Sequence, residues 1–334
     1  MVTRSRDQPE HFVARLTDAC VAWKAREGIA DHGKHREREY PHILPPDEED
    51  RGVWPSLRPM LGMQLPTRLR HAGFGNLKSS QTFAVNVLGG LDHAGLLALA
   101  LERRLGRPRG SFEVERVRFE YAPEAMRDVL GEKGRHSTQI DAVVWLREGA
   151  RRIALVTEVK LTESAFGGCR GPTAKDNPPT RREVCTGHGD RRLSDCYLHH
   201  GQYQRRYLHH ASAYARLGAA LGNGGCPLRA DGYQIARNLI VAAWLAGGLA
   251  PDEAPPPAGD AVDEAVFMVL SAAETPALHG QVLASLGPGP SVRLSALGAR
   301  WLDAAKLVAS VAAEPRARAL TDWLALRYPP VFAP

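Results

Sequence analysis

Three ionisable residues stand in two neighbouring apolar segments of the chain. Asp141 lies in QIDAVVWL, and Glu158 and Lys160 lie in VTEVKLTE. Both segments read as strands, because they are rich in apolar and β-branched residues and flank the polar turn REGARR. Since side chains alternate faces along a strand, Glu158 and Lys160 project from the same face. The two carboxylates and the ammonium are therefore candidates for one site.

An antiparallel pairing of these strands brings the carboxylates together. If Leu146 pairs with Ile153 across the turn, Asp141 falls opposite Glu158, with Cβ atoms roughly 5 Å apart. Carboxylates this close repel unless a cation lies between them, and Mg²⁺ prefers such oxygen ligands. The pattern favours a metal site in which Lys160 orients a water or stabilises charge on a phosphate. The alternative is a set of ion pairs at a sheet edge, between the carboxylates, Lys160 and a nearby arginine.

The composition indicates a globular protein with a basic surface. Hydrophobic residues make up 44% and charged residues 24% of the 334 residues. A chain of this length and composition can bury one large core, or one core plus a smaller appendage. The net charge is +6, with basic clusters at residues 103–109 and 161–210. Such clusters suit a polyanion, because lysine and arginine displace counterions from phosphates. The alternative is a solvated, mildly basic surface.

Several classes of function have no support in the sequence. The longest apolar run is too short to cross a bilayer, and the first residues lack the apolar core of a signal peptide. Five cysteines without an export signal fit reduced thiols, so we expect a cytoplasmic protein with no membrane partner. No P-loop or dinucleotide fingerprint supports use of ATP or NAD.

The predicted elements form a mixed α/β arrangement of helix, three strands, helix and two strands. Residues 79–106 read as one long helix with a weak point at Gly89-Gly90, and residues 112–121 as a strand with a slip at Glu115-Arg116. A further helix is predicted at 196–221, and strands are predicted in ARNLIVAAWLA and EAVFMVLSA. We expect an accessory segment at 1–75 that opens with a helix, a core at 76–280, and a helical segment packed on it at 281–334.

The chain also resembles a known superfamily. Asp141 followed by Glu158-Val159-Lys160 is similar to the PD-(D/E)xK nucleases, which share the restriction-endonuclease-like fold. Together with SSQTFAVNVLGGL and FEY, these motifs resemble an uncharacterised bacterial branch of that superfamily over residues 74–245. The resemblance implies an α/β core with a central mixed sheet flanked by helices, and helical additions at both ends.

The resemblance also implies roles for residues at matching positions. Asp141 and Glu158 would ligate the metal with the carbonyl of Val159, and Lys160 would position the attacking water. Glu120, at the end of the preceding strand, would complete or support the metal site; the alternative is a solvent-facing glutamate.

Residues beyond the strands are less clearly matched. Members of the RecB type carry a glutamine and a tyrosine four residues apart on the next helix. Here Gln202 and Tyr207 are five apart, and Gln204 and Tyr207 are three apart, so neither pair fits. Gln204, Arg205 and Tyr207 are instead predicted to contact a phosphate. Glu163 is predicted to form a salt bridge at the rim of the site.

Cysteines and histidines in the same region raise the question of a second metal. Cys169, Cys185 and Cys196 are separated by fifteen and ten residues, with His188 nearby, and no CxxC pair occurs. Structural zinc sites usually contain such a pair, so ordinary thiols are favoured over zinc or an iron–sulfur cluster. The pairs 199–200 and 209–210 are read as basic surface histidines.

These observations predict a Mg²⁺-dependent nuclease, endo- or exonucleolytic, that hydrolyses phosphodiester bonds in DNA and accepts Mn²⁺ in place of Mg²⁺. Restriction, defence and repair are all compatible with such a domain. Superfamily members often cut duplexes as dimers, so the resemblance allows a homodimer. The alternative is a catalytically inactive module that binds nucleic acid or a protein on the same fold, and a third hypothesis is a structural assembly protein.

Overall fold

The computed structural model describes residues 9–132, 137–163, 166–186, 196–199, 204–214, 226, 228, 232–250, 252–272 and 300–332. The α-helices are α1 Pro9–Arg26, α2 Leu61–Gln64, α3 Ser80–Ala84, α4 Gly90–His93, α5 Leu97–Leu105, α6 Glu124–Leu130, α7 Pro179–Thr186, α8 Gly232–Leu245, α9 Ala304–Ala309, α10 Arg318–Arg327 and α11 Pro329–Phe332. The strands are β1 Gly33–His35, β2 Arg38–Tyr40, β3 Glu113–Tyr121, β4 Ile140–Glu148, β5 Arg151–Lys160, β6 Glu264–Ser271 and β7 Arg300–Asp303. Short 3₁₀ helices include Glu49–Gly52, Pro55–Met60, Thr67–Leu69, Tyr207–Tyr214 and Pro315–Ala317.

A five-stranded mixed sheet forms the centre of the fold, with the order β3-β4-β5-β6-β7. The first three strands are antiparallel neighbours, whereas β6 runs parallel to β5 and β7 runs parallel to β6. The predicted α/β class and the central mixed sheet are confirmed. The slip in β3 is also confirmed, since its pairing with β4 shifts register between Val114 and Arg116.

Both faces of the sheet are covered, which explains why its middle strands read as nearly continuous apolar runs. Alternate residues of β4 enter two different apolar clusters: Val144 belongs to one, whereas Val143 and Trp145 belong to the other. The first cluster also contains buried side chains of α1, α9 and α10, and the second contains those of α6 and α8. The N-terminal and C-terminal segments therefore pack on the same core. The expected boundaries at 75 and 280 stay a prediction, and residues 273–299 lie outside the described residues.

The long helix expected at 79–106 is broken at a different place. Ser79 caps its start by accepting a hydrogen bond from the backbone N–H of Thr82, as its position predicts. Residues Val85–Gly89 form a π-helical turn that continues through Gly90. The break comes instead at Gly95, whose φ of +65° is a left-handed conformation. The two halves, Ser80–His93 and Leu97–Leu105, are bent by 105°.

Two further predictions near the C-terminal half were wrong. The run ARNLIVAAWLA is not a strand but most of α8, and its buried residues lie all around the helix. Residues 300–303, expected to be helical, form the edge strand β7, after which Asp303 caps α9 through the backbone N–H of Lys306. EAVFMVLSA is confirmed as a strand, β6.

The helix expected at 196–221 was also wrong over the residues that can be compared. Residues 196–199 form a turn, residues 204–206 are irregular, and Tyr207–Tyr214 is a 3₁₀ helix with a kink at His210. Residues 200–203 and 215–221 lie outside the described residues.

Within the described ranges, no single helix is long and apolar enough to span a membrane. The bent pair Ser80–His93 and Leu97–Leu105 meets the length and composition requirement only when both halves are taken together.

Candidate active site

Three carboxylates lie on three neighbouring strands of the sheet. Leu146 pairs with Ile153, so the register assumed from the sequence is observed, and the ladder continues to Ala142 and Thr157. The next position along it places Asp141 of β4 beside Glu158 of β5. At this point the Asp141 carboxylate accepts a hydrogen bond from the backbone N–H of Val159, at 2.7 Å from Oδ2. The strands therefore fix the two carboxylates relative to each other.

Glu120 supplies the third carboxylate, from β3. Its two chain neighbours pair with Ala142 and Ile140, which flank Asp141 on β4. Glu120 is only 2% exposed and has φ +50°, an uncommon conformation for a residue with a side chain. Such strain persists where the surrounding structure imposes it, and it is enriched at functional sites. The alternative of a solvent-facing glutamate is not what the structure shows.

Lys160 and Glu158 form a buried ion pair that α8 holds in place. The ammonium Nζ lies 2.7 Å from Oε1 of Glu158, and both side chains are at most 5% exposed. Lys160 also donates to Oε1 of Gln234 at 3.0 Å. Asn238 donates from Nδ2 to the other oxygen of Glu158 at 2.7 Å. Gln234 and Asn238 are four residues apart on α8, so they share one face of the helix.

His71 contacts the site from the N-terminal segment. Its Nε2 lies 3.2 Å from Oε2 of Glu120, and its backbone N–H donates to the side chain of Gln81 at 3.0 Å. Gln81 is buried on α3 and also donates to the carbonyl of Leu69 at 3.2 Å. The apolar helix around SSQTFAVNV thus positions a loop that reaches the site.

The electrostatics of the site are dominated by crowded negative charge. Desolvation raises the pKa of Asp141 well above its ordinary value, and the carboxylates of Glu158 and Glu120 raise it further. Burial alone would lower the pKa of Lys160, but Glu158 and Asp141 outweigh it and the pKa is raised. The pKa of His71 is raised by its hydrogen bond with Glu120. The site therefore favours cations.

The donor set fits a hard divalent cation. Carboxylate oxygens are the ligands that Mg²⁺ prefers, and among the described residues Oε1 of Glu120 is a buried oxygen without a hydrogen-bond partner. Nevertheless, no group of three or more His, Cys, Asp or Glu side chains in the described part of the chain is already spaced to hold a metal ion. Both oxygens of Glu158 already have hydrogen-bond partners, Lys160 and Asn238.

One of the three predicted nucleic-acid-binding residues lines a cavity of about 830 Å³ that shares α8 with the site. Arg205 lines it, whereas Tyr207 is buried and its hydroxyl donates to Glu132. Gln204 is exposed, and Gln202 lies outside the described residues. Four basic residues are among those that line the cavity: Arg170, Lys175, Arg205 and Arg237.

The cavity and the carboxylates are joined by α8. Tyr233 and Arg237 line the cavity, and each directly precedes a residue that contacts the site, Gln234 or Asn238. The Arg237 guanidinium lies 4.7 Å from the centre of the Tyr233 ring. Since successive helical residues are about 100° apart around the axis, the two pairs form adjacent stripes of α8.

Two other predicted residues have structural contacts of their own. Glu163 accepts hydrogen bonds from the backbone N–H groups of Leu161 and Thr162, the two residues that follow β5, at 3.0 and 3.1 Å. His210 is not a surface histidine: it is 4% exposed, and its Nε2 lies 2.9 Å from the carbonyl oxygen of Val129. His209 is exposed, as expected, and His188 and His200 lie outside the described residues.

Gln234, Asn238 and His71 were missed by the sequence reasoning. The first two were hidden because ARNLIVAAWLA was read as a strand. Polar residues at 233, 234, 237 and 238 have the spacing of one helix stripe, and this signal would have found them. His71 has no local signal, because its role depends on a tertiary contact with Glu120.

Comparison with known proteins agrees with a restriction-endonuclease-like chain. The family model described as "Restriction Endonuclease associating with ARP" matches residues 19–328. No curated protein matches the chain, and no solved structure matches it either.

Proposed function

The chain belongs to the family described as Restriction Endonuclease associating with ARP, and from this premise we propose that it is a metal-dependent nuclease that hydrolyses phosphodiester bonds in DNA. The observation that carries the proposal is the row of carboxylates at Glu120, Asp141 and Glu158 with Lys160 beside it. A family match by itself does not establish activity, because function depends on the site. Carboxylates and an ammonium of the kind that this chemistry uses lie together on the sheet, and this supports the proposal.

Mg²⁺ would be held by Asp141, Glu158 and the carbonyl of Val159, with Glu120 completing or supporting the set, and Mn²⁺ would substitute. When bound, it would offset the charge of the phosphodiester and lower the pKa of a water. The protein side of the site is rigid, because strands carry the carboxylates and α8 orients Glu158. Rigid positioning is a large part of what a hydrolytic site contributes.

Lys160 acts as a fixed cation in this proposal. An ammonium has no lone pair, so charged Lys160 cannot accept a proton from water. It can donate hydrogen bonds to the attacking water or to a phosphate oxygen, and it offsets the charge that develops there. Gln234 holds the ammonium through its carbonyl oxygen, so loss of Gln234 would leave Lys160 less well oriented.

The basic cavity supports nucleic acid as the substrate. Arg170, Lys175, Arg205 and Arg237 line it, and Asp176 is the one acidic residue among the lining residues described. The Asp176 carboxylate accepts a hydrogen bond from the Tyr197 hydroxyl at 2.6 Å. Basic side chains of this kind bind phosphates without reading bases. Two tyrosines, 197 and 233, also line the cavity.

The proposal is tested by incubating the protein with supercoiled plasmid, linear duplex, single-stranded DNA and RNA, with Mg²⁺, Mn²⁺ or EDTA. We expect divalent-metal-dependent cleavage of DNA that is lost in Asp141→Asn. Binding of DNA without cleavage under any of these conditions would instead favour the inactive binding module. Cleavage that persists in EDTA would contradict the proposal.

A further inference from the structure

Four of the five cysteines lie together in the region that follows β5. Cys169 and Cys185 both lie close to the α-carbon of Gly171: a methyl group there would be 3.4 Å from the sulfur of Cys169 and 3.1 Å from that of Cys185. The backbone N–H of Gly171 donates to the sulfur of Cys169 at 3.3 Å. A loop supplies Cys169 and the helix α7 supplies Cys185, sixteen residues further on, so two thiols lie around one residue.

The other two cysteines reach the same place from separate segments. Cys196 precedes Tyr197, whose Cβ would lie 3.4 Å from the same methyl group at Gly171. Cys226 lies two residues before Leu228, whose carbonyl accepts a hydrogen bond from the N–H of Cys169 at 2.9 Å.

The segment around Cys169 and Cys185 has few apolar residues of its own. Residues 167–186 are rich in glycine, proline and charged residues and have few apolar side chains with which to form a core. Yet Cys185 and Cys226 are at most 9% exposed, and Cys169 and Cys196 pack against the same apolar cluster. All five cysteines are free thiols, so no disulfide joins these segments. Small regions that lack a sufficient core are commonly held by a metal.

We propose that Cys169, Cys185, Cys196 and Cys226 bind one metal centre through four thiolates, and that this centre is an iron–sulfur cluster. The expectation of ordinary thiols considered three cysteines, and the structure adds Cys226. Four cysteine thiolates are the usual ligand set of such clusters. A single zinc ion fits less well, because no three of the described donors are spaced for a single ion.

The metal centre would stabilise one wall of the basic cavity. Gly168 and Arg170, which flank Cys169, line the cavity, and so does Tyr197, which follows Cys196. The centre is therefore separate from the carboxylate site but connected to it through the cavity wall. Without it, residues that carry Arg170 and Tyr197 would lose their fixed position, and DNA affinity would fall.

The test is to purify the full chain without oxygen and to measure iron, zinc, acid-labile sulfide and visible absorption. We expect iron and sulfide in equal amounts with broad absorption in the visible range. Each of Cys169→Ser, Cys185→Ser, Cys196→Ser and Cys226→Ser should lose most of the iron. Cys20→Ser is the matched control and should keep it, because Cys20 is buried elsewhere, against Arg327 and the carbonyl of Leu77.

Wild-type protein that contains neither iron nor zinc would overturn the proposal, whether or not a variant folds. Stoichiometric zinc without sulfide, lost in the same four variants, would overturn the cluster while supporting the thiolate site. Iron that is retained in all four variants would overturn the ligand assignment. Because metal content is measured without cleavage, failure here is distinguishable from failure of the proposed nuclease activity.

Discussion

Asp141 occupies a position where the chemistry of the site opposes the stability of the fold. Its pKa is raised by desolvation and by Glu158 and Glu120, which means that the folded protein favours the protonated form. A carboxyl group with a raised folded-state pKa lowers stability once the pH exceeds its ordinary value, here 3.8. The cost is therefore present at neutral pH. A cation between the carboxylates would offset it.

Asp141→Asn should make the protein more stable and inactive at once. The amide keeps an oxygen that can accept from the backbone N–H of Val159, but it removes one of the crowded charges. We expect the free energy of unfolding at neutral pH to rise by about 1 kcal/mol. Chemical denaturation with and without Mg²⁺ measures this. The account would be contradicted if the variant were less stable than wild type in the absence of metal.

His71 gives a second prediction at the residue scale. Here the raised pKa stabilises the folded protein, whereas that of Asp141 destabilises it. The pKa of His71 is raised above 6.5 by the hydrogen bond with Glu120. The stabilisation is therefore fully present below about pH 6 and is lost as the pH rises through the raised pKa. The side chain is 55% exposed, so solvent screens the interaction and the effect is small.

Thermal unfolding of wild type and His71→Gln should differ most near pH 6 and converge near about pH 9. His93→Gln is a control, because His93 lies against Trp54 and away from the carboxylates. A difference between wild type and His71→Gln that is independent of pH would show that His71 contributes through packing alone.

At the scale of elements, α8 orients Lys160 and Glu158 of β5. Its residues Gln234 and Asn238 contact Lys160 and Glu158 through hydrogen bonds of 3.0 and 2.7 Å. Residues that orient metal ligands in this way typically contribute 10- to 100-fold to affinity or activity. The helix packs directly on β5 and β6, so these contacts are fixed by the core.

Gln234→Ala and Asn238→Ala should each slow DNA cleavage by about 10- to 100-fold while leaving DNA affinity nearly unchanged. The control is Asn86→Ala, which removes another buried amide that donates to the carbonyl of Gly52 and the hydroxyl of Tyr328 rather than to Lys160 or Glu158. Asn86→Ala should lower the thermal stability of the protein without slowing DNA cleavage by the folded molecules. Single-turnover rates and thermal unfolding of the three variants separate these effects.

Sequence reasoning succeeded for elements whose signal is local. The hairpin of β4 and β5 is read from two apolar runs around REGARR, and its register follows from the turn. It failed for α8, because the helix is buried nearly all around and its apolar run at 239–246 resembles a buried strand, which hides the short polar stripe before it. It also failed for β7, whose four residues are too few to show alternation. The contact of His71 with Glu120 is tertiary and has no sequence signature.

At the scale of the whole molecule, the family match and the structure describe one unit. Residues 19–328 match the family, and the apolar core contains side chains from both ends of that range, including Cys20 and Tyr328. The segments outside the superfamily resemblance at 74–245 are thus part of the fold. They also contribute to the site, because His71 comes from the N-terminal segment.

The basic cavity predicts the salt dependence of DNA binding. The double variant Arg170→Ala with Lys175→Ala should weaken binding of all DNA sequences and reduce the slope of log affinity against log salt by roughly 2, about 1 for each phosphate contact. Arg68→Ala with Lys34→Ala removes the same charge from exposed positions outside the cavity and should leave the slope close to wild type. Equal slopes for both double variants would exclude the cavity as the DNA-binding surface.

The most direct test of the central claim is the rate of DNA cleavage as a function of Mg²⁺ concentration, measured for wild type and Lys160→Ala at DNA concentrations that saturate binding. The account predicts that wild type cleaves with a saturable dependence on Mg²⁺. It predicts that Lys160→Ala binds the same DNA but cleaves at least about 100-fold more slowly at every Mg²⁺ concentration. Cleavage by Lys160→Ala at the wild-type rate would contradict the assignment of this site.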